Sequence, residues 1–130
     1  MADARRPALP RPVRWAVEAL QARKGVDLTI LDLHGVNDAT DFFVIASGTS
    51  EGHVRGLADA VLDGLADHGV HCHHLEGASG GRWVLIDFVD FVVHLFHPEA
   101  RNFYQLERLW GDAPVVWHDP GGDQKGRPLP

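Results

Sequence analysis

Apolar residues along this chain switch between a period near 3.6 and a period near 2, and the switches mark out its elements. From Val13 to Arg23, Trp15, Ala16, Ala19 and Leu20 recur near helical spacing, and Gly25 ends the run. DLTILDL (Asp27 to Leu33) and DFFVIAS (Asp41 to Ser47) read as strands, parted by the loop signals Gly35, Asn37 and Asp38. The clearest helix follows. Ser50 is a good N-cap, Glu51 suits the first turn, and Val54, Leu57, Ala58, Val61, Leu62 and Leu65 form one apolar stripe. Glu51, Arg55 and Asp59 line its wet face, and Gly69 closes it. Three strand candidates come next: HCHHLE, WVLID and FVVHLF. The last two join through Phe88 and Val89, which leaves Asp87 and Asp90 flanking a hairpin corner. Pro98 opens a final helix with Phe103, Leu106 and Trp110 inward and Gly111 as its stop. This order predicts a single-domain α/β sandwich, a mixed sheet of about five strands flanked by helices.

Both ends read as unable to order themselves. Residues 1–12 are proline-punctuated, and residues 117–130 end in a Gly/Pro/charge mixture with no apolar face, so the domain is placed at 13–116. Asp3 and the three prolines of MADARRPALPRPVRW argue against an amphipathic transit helix. No apolar run approaches the roughly 20 residues that span a bilayer. Cys72 stands alone, which rules out an internal disulfide and fits a reducing cytoplasm. A formal charge of −6 disfavours gripping nucleic acid, which needs clustered Lys and Arg. An acidic chain suits a basic protein partner.

Candidate chemistry is sparse. HCHH (His71 to His74) suggests zinc, but strand alternation gives each face two ligands and a structural zinc wants four. A solvated, His-rich edge strand explains the letters, so neither metal nor cofactor is expected. IASGTSE (Ile45 to Glu51) runs strand, glycine turn, helix N-terminus, a geometry that can hold phosphate and is similar to the glycine-serine turn of nucleotidyltransferases. Those enzymes also need closely placed carboxylates on adjoining strands to hold two metal ions. Asp59 and Asp63 belong instead to a helix's wet face, and Asp87 and Asp90 would not share a face of a regular strand. GTSEG matches the Gly-x-Ser-x-Gly elbow, with Asp87 and His94 following in the order a hydrolase needs. They fall on the two arms of one hairpin, however, and Ser50 as a plain N-cap explains the same residues. His94 sits inside an apolar strand, where a covered core histidine is the default reading.

Taken together, DATDFFVIASGTSEGHV, the Glu76-Gly77 pair before Trp83, RWVLIDFVDFVVHLF and RNFYQLERLWGDA resemble the ribosomal silencing factor (Iojap) family over residues 13–116. The resemblance implies a nucleotidyltransferase-like fold without transferase machinery, and a non-enzymatic role. It implies binding to the large ribosomal subunit through ribosomal protein uL fourteen, which blocks joining of the small subunit and slows translation under nutrient limitation. By resemblance, the contact positions are Glu76, Trp83, Leu85, Asp87 and Asp90. The family's corner often reads Asp-Tyr-Gly-Asp. Here it reads Asp87, Phe88, Val89, Asp90, and valine is costly at positive φ. Two other readings stay open: a nucleotide-binding or nucleotidyl-transferring enzyme using the Gly48–Ser50 turn, and a homodimeric interaction module.

Overall fold

The computed structural model describes residues 9–36, 38–104, 113–122 and 126–130. Helix α1 (Arg11–Ala22) is followed by β1 (Val26–Asp32), β2 (Phe42–Ser47), α2 (Glu51–Ala66), β3 (His74–Glu76), β4 (Trp83–Asp87), β5 (Phe91–Phe96), α3 (Pro98–Tyr104) and β6 (Val115–Gly121). The strands form one mixed sheet in the order β3-β4-β5-β2-β1-β6. Among the described residues only β2 and β5 pair in parallel, from Phe42 opposite Phe91 to Ser47 opposite Phe96; the other pairings are antiparallel.

Alternation along the strands builds two unequal cores. On one face Leu28, Ile30, Val44, Val84, Ile86, Val93 and Leu95 pack against α1 and α2. Helix α1 contributes Val13, Ala16, Val17 and Leu20, and α2 contributes Val54, Leu57, Ala58, Val61 and Leu65. Leu62 sits at the margin of that stripe rather than inside it. On the other face Leu31, Phe43, Ile45 and Phe96 form a smaller cluster with Ala100 of α3. Arg101 pins α3 there: its guanidinium donates to the Asp27 carbonyl (2.7 Å), Ser47 Oγ (3.1 Å) and Thr29 Oγ1 (3.2 Å). Ser47 and Thr29 are buried, so this one side chain satisfies polar groups that would otherwise be costly in the core. The expected continuation of α3 to Gly111, with Phe103, Leu106 and Trp110 inward, lies outside the described residues and side chains.

Both ends differ from the sequence expectation. Helix α1 starts at Arg11, with Pro10 at the N-cap position, and Leu9 is buried in the main core, so order begins before Val13. At the other end the domain does not stop at Val116. Residues 115–121 form β6, paired antiparallel with β1 from Val26 opposite Gly121 to Leu31 opposite Val115. Pro120 is tolerated because β6 is an edge strand, with no described strand on its outer side to receive an amide bond. The tail is then held by specific polar contacts. The Trp117 indole donates to the Pro128 carbonyl (3.0 Å), Gln21 donates to the Arg127 carbonyl (2.8 Å), and the Arg14 guanidinium meets the Pro130 carbonyl. Asp119, 1% exposed, accepts from Gln21 Nε2 and from the Gly121 and Arg127 amides, each at 3.0 Å. Burial pushes its carboxyl up, but these bonds and nearby His118 outweigh that, and the net shift is downward.

The β4–β5 corner is strained. Val89 has φ +75°, and the Asp90 amide donates across it to the Phe88 carbonyl (3.0 Å), the arrangement of a γ-turn. Asp87 Oδ1 holds the turn by accepting from the Val89 amide at 2.7 Å. A β-branched residue in this region is a genuine outlier.

Two stability outcomes follow. Asp119→Ala should cost about 1.5–3 kcal/mol, because a charge-assisted acceptor is lost and three donors lose their partner. Since the folded carboxyl has the lower pKa, its contribution is present above the unfolded carboxylate range and disappears as pH falls through the folded value. A denaturation midpoint unchanged by Asp119→Ala would contradict this anchoring of the tail. Val89→Gly should raise stability by about 1 kcal/mol, the relieved strain exceeding glycine's unfolded-state entropy. A lower melting temperature for that variant would mean the turn is not under strain.

Candidate functional site

Four of the five expected contact residues share one face, and the reason is register. Residues paired across strands point the same way, so Glu76, Leu85, His94 and Ile45 form one row across β3, β4, β5 and β2. His74, Asp87, Val92 and Phe43 form the next. Trp83 opposes Phe96 in a third, so it too belongs to this face, opposite the α1/α2 layer. Along β4, Val84 and Ile86 are buried while Trp83, Leu85 and Asp87 are half-buried. This settles the orientation that alternation alone leaves open.

Trp83 is neither a free surface ring nor a core ring. Its indole stacks on Phe96 with centroids 5.1 Å apart and donates from Nε1 to His94 Nδ1 at 3.1 Å. Asp90 stands apart from that face. It lies at the exposed hairpin corner beside Val89, which is 55% exposed. Its carbonyl accepts from the Asp41 amide (2.9 Å), which brings the Asp41 end of β2 beside the corner. The patch is therefore an apolar centre (Trp83, Leu85) with Glu76, Asp87 and Asp90 around it. Glu76 also faces His74 across 3.1 Å. A second carboxylate group lies nearby, where His34 contacts Asp32 (2.6 Å) and Asp41 (3.4 Å). The hydrogen bond with Asp32 is the main reason that the His34 pKa is raised.

The Gly48–Ser50 turn is occupied by its own side chains. The His53 amide donates to Ser50 Oγ (3.0 Å), and the Thr49 amide donates to His53 Nδ1 (2.8 Å). The Gly48 amide donates to the Phe96 carbonyl (2.9 Å). A Cβ on Gly48 would lie 2.8 Å from Val54, so that glycine is explained by packing of the turn on α2. Ser50 is the N-cap that its position suggested. Arg23, Lys24, Thr49, His53 and Gly122 line a shallow depression beside the turn. His71 and His73 stand exposed ahead of β3, and His74 is exposed on that edge strand. Among the described residues, no three His, Cys, Asp or Glu side chains are grouped to hold a metal ion. None of the described helices is long and apolar enough to cross a membrane.

Sequence reasoning missed two members of this region. Arg101 carries no recognisable motif, and its role depends on the β1–β2 pairing. The Trp83–His94 bond joins positions eleven apart on adjacent strands. The apolar surroundings of a half-exposed tryptophan and a strand histidine were its only trace.

His94 is 4% exposed, and burial lowers its pKa from 6.5 to about 4. Its Nε2 has no hydrogen-bond partner among the described residues. The folded pKa lies below the unfolded one, so the unfolded chain binds the proton first. Stability is complete above about pH 6.5 and falls as pH drops toward 4, by on the order of 3 kcal/mol. Melting curves from pH 7 to 4.5 should show this slope, and His94→Leu should flatten it. An equal slope in both proteins would refute the assignment.

A family profile described as "Ribosomal silencing factor during starvation" matches residues 6–128. A ribosomal silencing factor of Bacillus subtilis is 38% identical over 112 residues, covering 86% of this chain and 95% of that one. One from Halalkalibacterium halodurans is 42% identical over 104 residues, covering 80% and 89%. A mouse protein named for mitochondrial assembly of the ribosomal large subunit is 31% identical, over 72% of this chain and 42% of its own. A crystal structure of a Chromobacterium violaceum protein superposes with a TM-score of 0.76 at 37% identity, covering 78% of this chain and 84% of that one. The chain belongs to the ribosomal silencing factor family.

Proposed function

We propose that this chain is a non-enzymatic, cytoplasmic translational repressor. It binds the large ribosomal subunit through protein uL fourteen and blocks joining of the small subunit, so that translation slows when nutrients are scarce. The observation that carries this reading is the outer face of β3 and β4. Glu76, Leu85 and Asp87 lie on it beside Trp83, with Asp90 at the adjoining corner. An apolar centre with a polar rim suits interface anatomy. Because most of a ribosome's surface is polyanionic RNA, a chain of charge −6 fits best on one of its basic proteins. There the carboxylates give steering and register while Trp83 and Leu85 supply desolvated contact.

Asp90→Arg should weaken co-sedimentation with isolated large subunits by tens-fold or more, since like charges at an interface cost several kcal/mol. Its circular dichroism should be unchanged, because Asp90 is exposed. The wild-type chain, but not this variant, should lower the fraction of joined ribosomes when added to separated subunits. A folded Asp90→Arg protein that binds and blocks normally would eliminate this docking face.

A further inference from the structure

We infer that His94 is a positioning residue for the docking face: its Nδ1 fixes the orientation of the Trp83 indole at the centre of that face. The inference rests on the docking reading above and adds a residue to it.

Core packing gives no reason for a histidine here. The strand reads FVVHLF, and its other residues are buried or half-buried hydrocarbons. His94 leaves Nε2 buried without a partner among the described residues, a penalty that a leucine would not incur. What histidine offers and leucine lacks is an acceptor. An indole has one N–H and no acceptor, and that of Trp83 donates to His94 Nδ1 at 3.1 Å. The bond requires an unprotonated Nδ1 and places the ring's hydrogen on Nε2, the nitrogen with no partner among the described residues.

The histidine is itself held. Its ring meets Phe43 edge-on with centroids 4.5 Å apart and planes at 75°, and lies nearly parallel to Phe96 at 6.3 Å. Trp83 is caught between the same Phe96, at 5.1 Å, and the imidazole, 5.9 Å away and tilted by 40°. The four rings form a fixed socket, and the hydrogen bond chooses the indole's direction within it. Leu85 directly opposes His94 across the β4–β5 pairing, so the histidine also stands beside the second apolar residue of the patch. A polar atom has been kept in the core at a cost, at the place where it orients the largest side chain of the exposed face.

Stability and binding should therefore separate. His94→Leu removes a nitrogen that has no partner among the described residues and releases the half-buried Trp83 indole N–H toward water, so it should melt near the wild-type temperature, yet bind large subunits about tenfold more weakly. His94→Asn places an oxygen where Nδ1 stood; it should melt lower but recover most of the binding. The indole Nε1–H of Trp83, followed by NMR in ¹⁵N-tryptophan-labelled protein, should exchange slowly in the wild type and much faster in His94→Leu. A role confined to packing would move melting and binding together. A His94→Leu protein whose Trp83 indole remains as protected as in the wild type, or which binds subunits within twofold, overturns the proposal. Asp90→Arg, run alongside, reports on the docking reading separately. If it abolishes binding while His94→Leu does not, the face stands and the positioning role falls; if the wild type itself fails to bind, both fall.

Discussion

Parallel pairing of β2 with β5 is the contact on which the rest of the molecule depends. Parallel neighbours cannot be joined by a tight turn, so the chain must leave β2, travel the length of the sheet and re-enter β5 from the same end. Here that journey holds α2, β3 and β4. Both strands must then be covered on two sides, and the composition complies: FFVIAS and FVVHLF are nearly continuous hydrocarbon. The register, Phe42 opposite Phe91 through Ser47 opposite Phe96, fixes what lies at each end. It sets Asp41 beside Asp90 at one end. At the other it puts the Gly48 turn against the Phe96 carbonyl and starts α2 there. It also makes β4 and β3 an antiparallel extension outward from β5, whose far face is covered by no described helix beyond the Ala100 region.

Much of this was readable in the sequence, where local physics and tertiary context agree. The bounds of β4 and β5 follow from the apolar runs broken by Asp87 and Asp90, and α2 follows from its cap and stripe. Strand β6 was not readable. VVWHDPG has a proline, an aspartate and a glycine, each disfavoured in strands, and it forms because an edge position tolerates Pro120 while Gln21 and two amides satisfy Asp119. Gln21 lies 98 positions away, and β1, the strand that β6 pairs with, is equally remote, so no local pattern announces the strand. HCHHLE failed in the other direction: only its last three residues form the strand, since an edge strand in solvent has little to gain from a longer ladder.

The site was legible in part for the same reason. That Leu85 and Asp87 share a face follows from alternation, and Glu76 joins them once register is known. Whether that face was inward or outward could not be read, because both faces of this sheet are apolar near the centre. The choice is made by α1 and α2, which cover Val84 and Ile86 and leave Trp83, Leu85 and Asp87 on the other side. Valine at φ +75° shows the converse case. The residue's cost was evident from its chemistry, but the turn that imposes the cost is set by Asp87 and the flanking strands.

In the proposed complex the partner covers the outer face of β3 and β4 with the hairpin corner. Hydrogen–deuterium exchange of the chain, free and bound to isolated large ribosomal subunits, tests it most directly. Amides of His74–Glu76 and of Phe88–Asp90 should slow on binding, while those of α1 and the Gly48–Ser50 turn keep their free rates. Slowing confined to α1 or to that turn, with the hairpin unchanged, would contradict it.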